Sequence, residues 1–490
     1  VKRLIAFFLT LGMLTASCQF LTPKPLPPTP APSAPNLPAT RDLFREGLVS
    51  TAQPILDQLQ GASEYELEFK INADLLHVEG KERVRYTNNE DVSLAEIRLR
   101  LFPNILGGEM HIPEVFVDGV PLVPNYSLND SLLTVPLASA LEPGQSVTLD
   151  MDFSLTVPDT VDLNYGVLAS AEGVLALAHA YPMVTVYNEE GWNAELPPQS
   201  GDVTFADMSF FTVTISAPSD LVLVAVGRET SREVDGDTQV VTFAAGPVRD
   251  FYLAASADYE VTSRQVGETT IHFYAPPEFG DGARAGLDVA ARAVEDYNVR
   301  YGLYPYTELD LVSTPTLALG IEYPGMIAIT SRILEPEHTY LEGTVAHEVG
   351  HQWFYNLVGS DQLDHPWLDE SLTQFVTLQY FEDEYGFEGY QGFRESFTSR
   401  WQNVDNQPIP IGLPVAGYSG KEYSAIIYGR GPLFFEALKG RMGAEAFDAF
   451  LRDYTETYSW DIATPEGLKS LAETHCGCDL TELFDEWVFP

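Results

Sequence analysis

Between about Tyr65 and Tyr259, apolar and polar residues alternate in short runs. Tyr65-Glu66-Leu67-Glu68-Phe69-Lys70-Ile71, Glu96-Ile97-Arg98-Leu99-Arg100-Leu101-Phe102, Ser146-Val147-Thr148-Leu149-Asp150-Met151 and Phe211-Thr212-Val213-Thr214-Ile215 all repeat with the period of a strand that buries one face. Turn-forming pairs separate them: Asn88-Asn89, Asp118-Gly119, Pro143-Gly144 and Asp235-Gly236. Short strands at this spacing predict an antiparallel sandwich or saddle-shaped sheet. After about Val261 the pattern changes. Thr269 to Tyr274 and Asp310 to Ser313 read as strands. Gly282 to Tyr301 has helical spacing, with Leu287, Val289, Ala290, Ala293, Val294 and Tyr297 on one stripe. Further helices are predicted near 340–357, 369–385, 389–402, 431–440, 444–458 and 465–474. The chain therefore reads as multidomain α+β, with an N-terminal antiparallel β domain over 46–260 and a mixed, helix-rich domain over 261–490.

The first residues have a different design. Lys2 and Arg3 precede an apolar run, Leu4 to Leu14, that is too short to span a bilayer. Thr15-Ala16-Ser17-Cys18 then supplies small residues, completing the pattern of an export signal over 1–18. It resembles a bacterial lipoprotein signal, although Thr15 stands where such signals usually carry Leu. That resemblance implies acylation of Cys18 and attachment to the membrane at the cell surface. An ordinary cleaved signal would instead release a soluble secreted protein, and an uncleaved anchor is a third reading. Residues 19–45 follow as a Pro-rich linker, including Pro23, Pro25, Pro27, Pro28 and Pro30, which favours a semi-rigid extended spacer.

Composition narrows the function. Hydrophobic residues make up 45% and aromatics 12%, enough to build real cores and to exclude wholesale disorder. The net charge of −44, from 71 acidic and 27 basic residues, argues against nucleic-acid binding. It reads first as a solvated acidic surface and second as a weak attraction for basic ligands. Apart from Cys18, the cysteines are Cys476 and Cys478; their spacing suits a small disulfide or free thiols, not a metal site.

One motif carries chemistry. His347-Glu348-Val349-Gly350-His351 places two imidazoles four residues apart, on one face of a helix, where both can reach one ion. Glu348 lies beside them, able to touch a water on that ion without occupying a coordination site. Catalytic zinc takes three protein ligands plus water. Glu370, nineteen residues after His351, follows the chain-breaking Gly359-Ser360-Asp361 and His365-Pro366 and would open a second helix against the first. Two imidazoles and a carboxylate suit zinc, one ion per chain.

These residues resemble the gluzincin metallopeptidases of the aminopeptidase N family. The likeness extends to Gly320-Ile321-Glu322-Tyr323-Pro324-Gly325, similar to the family's Gly-x-Met-Glu-Asn motif, and to Tyr428-Gly429-Arg430-Gly431, similar to its Tyr-x-Lys-Gly segment. It is strong from about Leu311 to the C-terminus and architectural over the β half. The resemblance implies a thermolysin-like zinc peptidase domain over 261–490 and peptide substrates. It implies that His347, His351 and Glu370 bind zinc, that Glu348 is general base and then proton donor, and that Tyr428 donates a hydrogen bond to the oxyanion, with Tyr423 as a nearby rival. Glu322 would hold the free α-amino group, and Gly320, Ile321, Tyr323 and Arg430 would complete the substrate-binding set. A zinc aminopeptidase acting on extracellular peptides is the expected activity; an endopeptidase of the same fold, or a non-catalytic peptide-binding lipoprotein, is the alternative.

Some positions depart from the family pattern. Leu319 stands at the family's first Gly, Ile321 replaces Met, Tyr323-Pro324 replaces Asn, Asp369 replaces a frequent Asn, and Arg430 replaces Lys. The segment from Tyr181-Pro182 to Trp192 is expected near the amine-binding site, or else as packing. The helical C-terminal domain that caps the cleft in many members of that family is expected to be lacking here, hence a more open cleft that admits longer peptides.

Overall fold

The computed structural model describes residues 41–198, 201 and 203–489; the signal with Cys18, and the spacer as far as Thr40, lie outside the described residues. Of the remainder of the expected linker, Asp42–Arg45 forms a short helix that buries Phe44.

The alternating runs become strands because each has one apolar face to bury. In Ser63–Ile71, Tyr65, Leu67, Phe69 and Ile71 point inward while Glu66, Glu68 and Lys70 are exposed. A nine-stranded sheet runs Arg228–Asp235, Thr238–Val248, Ser209–Pro218, Ser63–Ile71, His77–Thr87, Ser146–Thr156, Val115–Val117, Val120–Leu122, with Glu109–His111 also on Ser146–Thr156. Among the described residues this sheet is antiparallel with one exception: Ser63–Ile71 runs parallel to Ser209–Pro218. The two are far apart in sequence, so the chain crosses over between them instead of turning back in a hairpin. Two four-stranded sheets and the two-stranded ribbon Tyr187–Asn188 with Gly191–Trp192 complete the β half.

A five-stranded mixed sheet begins the second half, in the order Glu260–Val266, Thr269–Ala275, Glu308–Thr314, Met326–Thr330, Gly320–Ile321. Helix Gly280–Tyr301 connects the parallel pair Thr269–Ala275 and Glu308–Thr314, and the whole predicted stripe from Leu287 to Tyr297 is buried. The remaining helices include Leu341–Gly350, Leu372–Gln402, Gly431–Met442, Ala444–Tyr458 and Pro465–Cys476, close to the predicted spans. Leu372–Gln402 breaks at Gly386, whose φ of 66° is left-handed and suits a residue without Cβ. Gly420–Ala425 and Thr481–Trp487 are helices that periodicity did not predict. Cys476 and Cys478 form a disulfide. No helix among the described residues is long and apolar enough to cross a membrane.

Arg249 ties the halves together. Its guanidinium, buried, donates to the carbonyls of Ala206 on one side and of Tyr355, Asn356, Leu357 and Asp461 on the other. Gly359 makes this possible, because a Cβ there would lie 2.2 Å from the guanidinium carbon.

Candidate metal centre and its cleft

Helix Leu341–Gly350 carries His347 and Glu348, and His351 caps its C-terminus. Val345, Ala346 and Val349 bury the opposite face, so the two histidines project together into a cleft of about 800 Å³. Glu370 arrives from Trp367–Ser371, a turn of the wide π type that carries one residue more than an α turn. Tyr428 arrives from a second such turn, Ile426–Arg430. The two turns are bonded to each other: Ser371 Oγ donates to the carbonyl of Ile427 at 2.6 Å, and a Cβ on Gly431 would lie 1.9 Å from that hydroxyl. Third ligand and tyrosine are thus positioned as a unit.

The geometry fits a zinc ion. His347 Nε2 lies 3.1 Å from His351 Nε2 and 3.2 Å from Glu370 Oε2, and His351 Nε2 lies 3.5 Å from Glu370 Oε2. Ligands about 2.0–2.1 Å from a tetrahedral zinc stand roughly 3.3 Å from one another. His351 Nδ1 faces Asp369 Oδ1 at 2.6 Å. A carboxylate only accepts, so this bond fixes the proton on Nδ1 and turns the Nε2 lone pair toward the site. Asp369 is itself held by Gln362 Nε2 at 2.6 Å. His347 Nδ1 has no such partner among the described residues.

The charge balance points the same way. Burial pushes the Glu348 carboxyl well above its usual range, and nearby Glu322 adds to the shift. Burial also lifts Glu322, to about 7. For Glu370 burial works in the same direction, but the adjoining imidazoles of His347 and His351 outweigh it and hold the carboxyl below its usual range. Burial, followed by His351, pushes the His347 ring down and keeps it neutral, the form that ligates. A divalent cation relieves this concentration of buried acids.

The opposite wall is the edge strand Gly320–Ile321 and the residues after it. Gly320 lies against Glu348 so closely that a Cβ would fall 2.5 Å from its Cγ. Glu322 is buried, and one of its carboxylate oxygens, one of Glu348 and a nitrogen of His351 all lie within 4.8 Å of one another. Tyr323 stacks on Tyr252 of the β half, centroids 3.9 Å apart. Gln352 pins this segment from the motif side: its Nε2 donates to the Tyr323 carbonyl at 3.2 Å and its Oε1 accepts from Gly325 N at 2.8 Å.

Gly320, Ile321, Glu322, Tyr323, His347, Glu348, His351, Glu370 and Tyr428 all line the one cleft, and the Tyr428 hydroxyl donates to Glu370 Oε1. Tyr423 lines it as well, its ring 5.9 Å from that of Tyr428. Arg430 does not belong with them. It is buried, donates to the carbonyls of Ile409, Glu486 and Trp487, and sits 4.5 Å from the Trp487 ring centroid. The expectation that it touches substrate is corrected: the wide turn that presents Tyr428 sends its neighbour but one the other way, to clamp the C-terminal helix. Trp192 packs between Tyr86 and Tyr187, and Tyr181 donates to Asp250 at 2.8 Å. Among the described residues, the β half reaches the cleft through His179 and Thr204, bonded to each other at 3.0 Å, through Leu106, Asn164, Tyr165 and Val167, and through Pro198, Gly201 and Val203. Gln352 and His179 had no signal in the spacing, because their partners are distant in sequence.

Residues 285–487 match the Peptidase family M1 domain. Aminopeptidase M1 of Arabidopsis thaliana is 24% identical over 297 residues, 56% of this chain and 33% of that protein. Probable aminopeptidase 2 of Sulfurisphaera tokodaii is 25% identical over 301 residues, 57% of this chain and 38% of that protein. The chain spans about a third of the length of the curated relatives it matches. The crystal structure of an M1 zinc metallopeptidase from Deinococcus radiodurans superposes with a TM-score of 0.63 at 20% identity, covering 91% of this chain and 95% of that one. A mutant of that protein bound to a Tyr-Ser-Ala substrate gives 0.64. This likeness establishes a shared fold.

Proposed function

The chain belongs to the peptidase family M1, of the gluzincin, aminopeptidase N-like kind, and from that premise we propose that it is a zinc aminopeptidase removing N-terminal residues from peptides outside the cell. The observation that carries this reading is the meeting of a zinc-shaped donor triad, Glu348 and Glu322 in one cleft. His347, His351 and Glu370 would hold the ion. When bound, zinc polarises the scissile carbonyl and acidifies a water. Glu348 takes the proton of the attacking water and returns it to the leaving amine, a role suited to a carboxyl that burial makes more basic. Tyr428 leaves Glu370 to donate to the developing oxyanion. Glu322 receives the α-ammonium of the substrate, which selects a free N-terminus. Cys18 would anchor the enzyme to the membrane as a surface lipoprotein, with residues 19–40 as its tether.

Aminoacyl fluorogenic amides assayed beside N-blocked peptides test the reading. Cleavage of the unblocked substrates, abolished by chelator and restored by zinc, is expected. Cleavage of blocked peptides alone makes it an endopeptidase, and no cleavage by zinc-loaded protein leaves the binding-lipoprotein alternative.

A further inference from the structure

Past its break at Gly386, the helix ending at Gln402 turns one face to the cleft: Gly389, Phe393, Ser396 and, last, Arg400. Among the described residues lining that cleft, Arg400 is the one lysine or arginine. The chain has 71 acidic residues to 27 basic ones, so an arginine is surrounded by available partners. Its neighbours use them: Arg394 is clamped by Glu436 at 2.7 Å, and Arg292 by Glu342 at 3.1 Å and Glu384 at 2.9 Å. Arg400 has no carboxylate within 4.0 Å among the described residues; its guanidinium donates to Ser396 Oγ at 3.2 Å. A guanidinium carries five donors, and the bond to Ser396 uses one of them, so a planar acceptor entering the cleft can take others.

Its place relative to the metal centre follows from Gly429. A Cβ there would meet Phe397 O at 3.0 Å, Trp401 N at 3.0 Å and Arg400 Cβ at 3.1 Å. The turn that presents Tyr428 therefore lies directly on the helix backbone at Arg400, and Tyr428 in turn bonds Glu370. Arg400 thus lies next to the turn that carries Tyr428, whose hydroxyl bonds Glu370, whereas Glu322 clusters with Glu348 and His351. Burial acts to weaken its charge, and Tyr428, Tyr340 and Glu370 act in the opposite sense.

We propose that Arg400 is a specificity-determining residue that binds the C-terminal carboxylate of the shortest peptides, so that the cleft is built for dipeptides. This rests on the aminopeptidase reading. With the α-amine at Glu322 and the scissile carbonyl at the metal, the chain end of a dipeptide lies one residue beyond, about 3.3–3.6 Å of extended backbone further on, and a planar guanidinium matches a carboxylate with two parallel bonds. In longer peptides that position holds a neutral amide. The preference for short peptides runs against the open-cleft expectation of longer ones.

The test compares Leu-Ala with Leu-Ala-amide. In kinetics the free acid is expected to exceed the amide by about thirtyfold in kcat/KM, mostly through KM, with the ratio falling toward one in Arg400→Met and partly restored in Arg400→Lys. Binding to the Glu348→Gln protein, measured by calorimetry with and without Arg400→Met, reads the same discrimination without turnover. Equal affinity for acid and amide, or a preference that survives Arg400→Met, overturns the proposal, as does a tetrapeptide or pentapeptide showing the same acid-over-amide ratio. If wild type cleaves neither dipeptides nor aminoacyl amides, the aminopeptidase reading fails while the calorimetric comparison still decides the carboxylate site.

Discussion

The two walls of the cleft are built on different principles. One is helical and local: His347, Glu348 and His351 come from a single turn, and Glu370 follows within the same run of chain. The other is an edge strand whose position depends on remote partners, with Tyr323 stacked on Tyr252 and Gln352 bonded at both ends of the segment. The helical wall can be specified by spacing because helix geometry converts sequence intervals into shared faces. The strand wall takes one of its partners, Tyr252, from the β half, which is tied to the helix-rich half through contacts such as those of Arg249.

The largest expected effect lies on the helical wall. Glu348→Gln preserves shape and hydrogen bonding but removes the base, so kcat should fall by about three or more orders of magnitude while zinc content by atomic absorption stays at one per chain. Loss of zinc in that variant would mean that Glu348 supports the metal and the wall's division of labour is wrong. An intermediate effect separates the walls. Gln352→Leu keeps the volume but releases Tyr323 and Gly325, and the preference for free over blocked N-termini should drop about tenfold with zinc affinity unchanged. An equal fall on both substrate types would show that the walls are not separable.

The smallest effect concerns the support behind the helical wall. Helix Gly280–Tyr301 packs there, and Tyr297 OH donates to the Ala346 carbonyl at 3.0 Å. On the same helix, burial, together with a bond to Asp383, pushes Asp296 up to about 7, despite Arg300. The folded chain keeps a proton there that the unfolded chain releases near pH 4. This group's contribution is full below that pH and is lost as pH rises toward 7, because the folded state binds more protons across the window. Asp296→Asn should flatten the fall in unfolding free energy between pH 4 and pH 7, by on the order of 1 kcal/mol after solvent screening, as read by denaturant titration at each pH. An unchanged slope would assign the pH dependence elsewhere.

Much of this was legible in the chain. The alternation at Tyr65–Ile71 and the stripe of Leu287 to Tyr297 predicted their elements closely, and the intervals brought forward His347, His351 and Glu370, which the fold brings together as a candidate metal site. Arg430 was not legible, because its role depends on carbonyls of Ile409, Glu486 and Trp487 that spacing does not reveal. The parallel pairing of Ser63–Ile71 with Ser209–Pro218 was equally hidden, since alternation reports which face is buried and says nothing of a strand's neighbour. Gln352 sits beside His351 in sequence yet serves the opposite wall, a relation only the folded chain displays.

The paired wide turns have a consequence for how this cleft could be lost or acquired. Each is a helix with a surplus residue, and excising one would return the local pitch to normal while swinging the flanking segments by about 100° relative to each other. Glu370 or Tyr428 would then face the helical packing instead of the ion, with every chemically important side chain still encoded. A one-codon length change in either place is thus an off switch, and the Ser371 hydroxyl on the Ile427 carbonyl couples the two, so that they would drift or persist together.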